Sequence, residues 1–234
     1  MADLITSAAN PRLKLVRRLQ SRRQRERLGL FVCEGEDLVE AGKAAGAEPV
    51  DLLVAGETVE PQLLTEVSTL AHPPRMIAVF RRGDLPRVGV AAPPPAGLAL
   101  WRVSDPGNVG TVIRAADGLG PAFVALSSGC ADPTGPKALR ASMGAVFRVP
   151  VCRFDEAPGT RIALVAHGGR ALHELDLGAP TTFVLGAERD GLPEDVVADC
   201  EQSASIPLAA GADSLNVAVA GAVSLYELRR RSST

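Results

Sequence analysis

Apolar residues recur at two different periods along this chain, and the change of period divides it. Over Pro11 to Arg27 (PRLKLVRRLQSRRQRER), Leu13, Val16, Leu19 and Gln20 fall near one face while arginines cover the remainder, which predicts one amphipathic basic helix. Up to Phe80 the short apolar runs VDLLVA and RMIAVF alternate with Ala/Glu-rich stretches and predict a small α/β unit. From Leu85 to Gly97 four prolines break the pattern. That is poor material for a helix or strand interior, so a domain boundary is placed near residue 95, giving domains 1–95 and 96–234. Beyond it LALWRV, AFVALS, RIALVA and TFVLG read as strands, separated by helical patterns at Asn108–Gly118 and Pro136–Gly144. The alternation predicts an α/β fold with a mainly parallel sheet covered by helices on both faces. The last stretch, SLNVAVAGAVSLYELRRR, opens on Ser and ends on three arginines. Its first turns are apolar all round, so a buried helix is expected.

Composition narrows the class. A chain of 234 residues with 46% hydrophobic and 22% charged residues can bury one large core or two small ones. No run of about 18 uncharged apolar residues precedes the last helix, and MADLITSAANPR lacks the basic-then-apolar order of a signal peptide. A soluble, cytoplasmic protein with no membrane partner is expected. Cys33, Cys130, Cys152 and Cys200 are too widely spaced for C-x-x-C pairs, and His72, His167 and His173 are not at metal-ligand spacing, so no metal is expected. The formal net charge of -2 gives no global pull toward nucleic acid, yet Asn10 to Arg27 holds eight Arg/Lys against Glu26 alone. Such charges repel one another unless a polyanion or acidic side chains stand opposite. A nucleic-acid footprint and a merely solvated helix both remain open.

Three segments hold candidate chemistry. In DPGNVGTVIRAADGLG (Asp105–Gly120), Val109, Val112, Ile113, Ala116 and Leu119 form a packed face, Asn108 falls at the helix start as a possible cap, and Arg114 points elsewhere. In TFVLGAERDGLPEDV (Thr181–Val196) a strand runs into Gly186, Glu188 and Gly191, where glycines let backbone approach a flat ligand. In SIPLAAGADSLNVAVA (Ser205–Ala220) a short strand and a loop lead to Ser214, Leu215 and Asn216, with Ser214 or Asp213 as an alternative simple N-cap. Taken alone, the first and third segments read more readily as ordinary helix starts, and the second reads as well as an ordinary strand-to-helix turn. The chain has no G-x-G-x-x-G, no G-x-x-x-x-G-K-[ST], no H-E-x-x-H and no G-x-S-x-G. Dehydrogenase, P-loop, zincin and hydrolase readings therefore lose their main support.

Together, and in this order, the three segments resemble the motifs of the SpoU/TrmH group of the SPOUT RNA 2′-O-ribose methyltransferases. NVGTVIRAA has the family's Asn and Arg six residues apart, PKALRASMGAVFRVPV resembles the segment between motifs, VLGAERDGL the Gly-Asn-Glu loop, and IPLAAGADSLNVAVA the closing Ser-Leu-Asn motif. The likeness spans about residues 98 to 231. NPRLKLVRRLQSRRQRERLGLFVCEGEDLVEAG looks like the substrate-binding domain of ribosomal-RNA members. Ala187 stands where the family usually has Asn, and Asp213 where it usually has Glu. The resemblance implies a trefoil knot in the C-terminal domain and methylation of RNA, 23S ribosomal RNA ahead of tRNA, with S-adenosylmethionine as cofactor. It assigns Arg114 to the ribose proton, either as base or by binding the adjacent phosphate, with Asn108, Glu188, Ser214 and Asn216 orienting the reactants. Main-chain groups near Gly186, Ile206, Leu208 and Leu215 would hold the cofactor, in a site completed at a homodimer interface. Arg12, Lys14, Arg17, Arg18, Arg22 and Arg23 become candidate phosphate contacts. The rivals are a non-catalytic RNA-binding or ribosome-assembly protein of the same fold, and an unrelated nucleotide-binding α/β protein.

Overall fold

A computed structural model of the chain describes residues 4–72, 74–89 and 92–232. Two sheets organise it. The first is antiparallel, ordered β1-β3-β2, from β1 (Leu30–Glu34), β2 (Asp51–Val54) and β3 (Met76–Arg81). Helices α1 (Pro11–Leu19), α2 (Arg22–Leu28), α3 (Glu36–Ala44) and α4 (Pro61–Val67) complete this part. VDLLVA and RMIAVF supply β2 and β3, and the apolar run LFVC adds β1 as a third strand.

The single basic helix expected over Pro11–Arg27 is in fact two helices that break at Gln20 and Ser21. Leu13, Val16 and Leu19 are buried, in keeping with their spacing, while Gln20 is half-buried. The break has a physical cause in Arg25, which is only 4% exposed. Its Nη1 donates to the carbonyls of Leu19, which ends α1, and of its cap Gln20 (both 2.9 Å), and its Nε and Nη2 donate to Asp132 Oδ2 at 2.9 and 2.8 Å. One continuous helix would already use those carbonyls internally.

The second sheet has seven strands in the order β6-β5-β4-β9-β7-β10-β8, paired in parallel throughout. They are β4 (Ala96–Leu100), β5 (Ala122–Leu126), β6 (Val151–Arg153), β7 (Thr160–Leu164), β8 (Arg170–Ala171), β9 (Thr181–Leu185) and β10 (Gln202–Ser205). The four apolar runs form β4, β5, β7 and β9. Strand β10 ends before Ile206, earlier than SIPL suggests, and β6 and β8 are too short to show in the pattern. The helices are α5 (Pro106–Leu119), α6 (Pro136–Ser142), α7 (Glu194–Ala198) and α8 (Val217–Ser232). One face of the sheet packs Leu98, Leu100, Phe183 and Leu185 against Val109, Val112 and Ile113 of α5 and Leu225 of α8. The other packs Ala99, Phe123 and Val184 against Val196 of α7.

The two parts share a core at their junction. Phe147 of the C-terminal part meets Phe31 and Phe80 of the antiparallel sheet with centroids 5.8 and 5.1 Å apart, and Leu139 and Val146 join the same cluster. Helix α8 is not buried all round as expected: Val219 is 48% and Tyr226 57% exposed. Among the described residues no helix is long and apolar enough to cross a membrane.

Candidate active site at the C-terminal ends of the parallel strands

In chain order β4, β5 and β6 step one way across the sheet, and the next strand, β7, lies on the other side of β4 beyond β9. Open α/β sheets form crevices outside the carboxyl ends of the strands near such a reversal. Here the segments leaving β7 (Leu164–Ala166), β9 (Leu185–Arg189) and β10 (Ile206, Leu208) close with Ser214, Leu215, Val217 and Ala220 around a cleft of about 250 Å³. All four expected cofactor residues, Gly186, Ile206, Leu208 and Leu215, line it, as do Glu188 and Ser214.

Local chemistry explains how the β9 loop takes this shape. The Gly191 amide donates to the Ala187 carbonyl at 2.9 Å, so the chain folds back sharply, with Gly191 at φ 63°. A Cβ on Gly186 would lie 2.1 Å from the Gly191 carbonyl carbon, which only glycine avoids. The apolar lining from Leu164, Leu185, Ile206, Leu208 and Val217 suits a flat heterocycle, and the tight glycine turn brings backbone to the wall beside it. The residues present therefore fit an adenosyl group.

A chain of polar side chains crosses the rim. Asn108 donates through Nδ2 to Glu188 Oε1, and Asn216 donates through Nδ2 to Asn108 Oδ1 at 3.1 Å. Asn216 Oδ1 in turn accepts from the amides of Ala218 (2.9 Å) and Val219 (3.4 Å), so Asn216, rather than Ser214 or Asp213, caps α8. The cap of α5 is likewise Asp105, not Asn108: Asp105 Oδ1 accepts from the Asn108 amide at 2.9 Å. The Lys137 ion pair and the Asn108 amide hold the Asp105 carboxyl below its usual range. Freed from capping, the Asn108 side chain can join three motif segments that are far apart in sequence.

Arg114 does not join them. It is exposed on α5, lines no part of the cleft, and its side chain makes no hydrogen bond or ion pair among the described residues. The six candidate phosphate contacts separate into groups. Arg12 is engaged by Asp51 (Nε to Oδ1, 2.9 Å) and the Leu52 carbonyl, Arg22 by Glu26 (2.8 Å) and the Cys130 carbonyl (3.0 Å), and Arg17 by the Ala8 carbonyl and, at 3.6 Å, Glu66. Lys14, Arg18 and Arg23 are exposed and carry no ion pair among the described residues. Sequence reasoning missed residues 164–166, Trp101, Arg102 and Arg189, although their position just past apolar strand runs was the available signal.

Comparison with known proteins agrees with this geometry. The SpoU rRNA Methylase family profile matches residues 95–226, and the MRM3-like substrate binding domain profile matches residues 10–81. The 23S rRNA (guanosine(2553)-2′-O)-methyltransferase RlmP of Bacillus subtilis is 31% identical, with 96% of this chain and 98% of that protein aligned. The AdoMet-bound rRNA methyltransferase from Sinorhizobium meliloti superposes with a TM-score of 0.86 at 28% identity over 98% of both chains. The SpoU methyltransferase AviRb from Streptomyces viridochromogenes, in complex with AdoMet, gives 0.84 at 26% identity over 96% of this chain and 99% of its own.

Proposed function

The chain belongs to the SpoU rRNA methylase family, and on that premise we propose that it methylates a ribose 2′-hydroxyl of 23S ribosomal RNA, using S-adenosylmethionine. One observation carries the reading: the loops after β7, β9 and β10 converge on a single apolar cleft whose rim is the hydrogen-bonded chain Glu188–Asn108–Asn216. An intact polar rim favours an enzyme over a non-catalytic relative, and relatives named for 23S rRNA favour that RNA over tRNA.

S-adenosylmethionine bound there supplies an electrophilic methyl group on its sulfonium. The chain's own residues must align a weakly nucleophilic hydroxyl and help its proton leave. Main-chain groups at Gly186, Ile206, Leu208 and Leu215 hold the cofactor. Asn108, Glu188, Asn216 and Ser214 orient the ribose, with the first three already fixed by one another. Arg114 acts on the hydroxyl, as base or by holding the neighbouring phosphate. Because it stands away from its own cleft, it is assigned to the cleft of a partner subunit in a homodimer. Leu215, Val219 and Tyr226, 39%, 48% and 57% exposed, provide apolar surface for that partner to cover. The closing segment that carries Asn216 into α8 is proposed to thread the family's knot, and a cytoplasmic location is proposed from the bacterial relatives named for 23S rRNA.

The test is mass-spectrometric mapping of 2′-O-methyl groups in 23S rRNA from cells with and without the protein, with calorimetry of S-adenosylmethionine on the full chain. One methylated nucleotide should disappear and reappear on addition of purified protein. Identical maps together with no cofactor binding at millimolar concentration would sink the reading.

A further inference from the structure

Beside the cofactor cleft lies a second cavity of about 520 Å³, which shares Ala187, Glu188, Arg189 and Gly191 with it and is walled opposite by Trp101, Arg102 and Ser104. We propose that this cavity is a nucleotide subsite, where the base of an RNA residue next to the methylated ribose stacks on Trp101 and its phosphates lie on Arg102 and Arg189. The identity of the polymer rests on the methyltransferase reading above.

The volume falls within the range of small-ligand sites. Trp101 is the chain's one tryptophan and is half-buried. Phe154 meets it edge-on with centroids 5.1 Å apart, and the Arg102 guanidinium carbon lies 6.0 Å from its ring centroid. The indole is thus buttressed, yet it also borders the neighbouring groove that holds Arg22, Arg82 and Arg153 at the junction of the two parts. A rigid, accessible aromatic ring is what base stacking requires.

Arg102 is held at φ 53°, and its amide donates to Ser127 Oγ at 2.9 Å. Non-glycine residues in that region are uncommon and concentrate at binding sites. Neither Arg102 nor Arg189 has an acidic partner among the described residues, whereas Arg12, Arg25, Arg148 and Arg153 each have one. Two carboxylates also face the cavity. Glu188 is committed to Asn108. Asp190 is left to accept from amino and imino groups of a base edge, which selects a nucleotide over a bare polyanion.

A single tryptophan makes intrinsic fluorescence a reporter of Trp101, which borders both this cavity and the neighbouring groove, so the Arg102 and Arg189 variants assign the signal to the cavity. The full chain is titrated with short single-stranded RNA oligomers and, in parallel, with inorganic polyphosphate. RNA should quench the emission and polyphosphate should not. Trp101→Ala should weaken RNA binding about tenfold and Trp101→Phe should restore most of it. Arg102→Gln with Arg189→Gln, both exposed, should lower the salt slope of binding by about 0.7 for each phosphate no longer neutralised. Emission that ignores saturating RNA, with Trp101→Ala binding as wild type, would overturn the subsite. If Trp101→Ala fails to fold, an unchanged slope and affinity in the arginine pair overturn it alone. Wild-type protein that is quenched by RNA but transfers no methyl would sink the enzymatic reading and leave the subsite standing.

Discussion

The basic N-terminal segment and the surroundings of the apolar cleft differ in how their arginines are paired. Between Asn10 and Arg27 stand eight Arg/Lys, yet Arg12, Arg17, Arg22 and Arg25 are paired with Asp51, Glu66, Glu26 and Asp132. Near the cleft the cations are sparse: Arg189 lines it and Arg102 lines the cavity beside it, and these two, like Arg114 away from the cleft on α5, have no acidic partner among the described residues. Density of charge along a sequence therefore does not say which cations keep an acidic partner within the fold. What sorts the cations is the acidic side chain that folding brings opposite each one, from 39 positions away for Arg12 and 107 for Arg25.

The sharpest way to break this contrast is to remove an unpaired arginine and a paired one. Arg114→Ala should lower single-turnover methyl transfer by about 10² to 10⁴, the span of a missing acid–base group, with cofactor affinity unchanged by calorimetry. Arg114→Lys keeps the charge without the planar fork and should recover little. Mixing Arg114→Ala subunits with Glu188→Gln subunits should restore part of the activity if each cleft takes its arginine from the other subunit. Near-normal rates in Arg114→Ala would remove it from the chemistry.

Arg25→Ala should instead act on stability, because it strands a buried carboxylate. Loss of one partner of a buried pair costs about 3–5 kcal/mol, and Arg82 at 3.5 Å from Asp132 should hold the loss to the lower end. Urea unfolding of the full chain checks it, and unchanged stability would refute the role given to this pair. Burial pushes the Asp132 carboxyl up, but Arg82, the Thr134 amide and hydroxyl, and Arg25 outweigh it and hold the carboxyl below its usual range. A depressed folded value means this stabilisation is fully present above the unfolded aspartate value of about 4 and is lost as pH falls through the folded value. In Arg25→Ala that acid-side dependence should move toward neutral pH.

The same contrasts mark how much the sequence revealed. The order of the three motif segments and the strands β4, β5, β7 and β9 were legible, because a strand buried on both faces must be a continuous apolar run. So was convergence of Gly186, Ile206, Leu208 and Leu215, through family likeness. The break at Gln20 was not, since it depends on Arg25 finding Asp132 in the other half of the chain. Nor was the shared core of Phe31, Phe80 and Phe147: periodicity shows that a face is apolar but not which face covers it. Asn108 looked like a cap because local spacing allowed it, and Asp105 three residues earlier took that place. Arg114 sits about 600° of helical turn beyond Asn108, and so on a different side of α5, a fact available from spacing but masked by the motif.

A smaller effect tests the cleft itself. Gly186→Ala places a methyl 2.1 Å from the Gly191 carbonyl carbon, so the loop must shift. Overpacking of this kind costs about 1–3 kcal/mol, and it should appear mainly as weaker S-adenosylmethionine binding, because the loop and not the sheet gives way. Wild-type affinity would show that the β9 loop does not shape the cofactor site.

The smallest expected effect returns to the basic segment, where paired and unpaired cations can be separated within one stretch of chain. Lys14, Arg18 and Arg23 are exposed without ion pairs among the described residues, whereas Arg12 is fixed to Asp51 and the Leu52 carbonyl. If the unpaired cations touch phosphate, each replacement by Gln should release fewer counterions and lower the salt slope of RNA binding by roughly 0.7 to 0.9. Arg12→Gln should leave that slope alone and show its effect in unfolding, because its guanidinium already has its partners. Turnover at saturating RNA should persist in the triple variant Lys14→Gln, Arg18→Gln, Arg23→Gln, since none of these residues approaches the cleft. A slope that falls on replacing Arg12, and not on replacing the other three, would mean that ion pairs seen within the chain open when RNA binds. Pairing in the free protein would then no longer predict which cations are available.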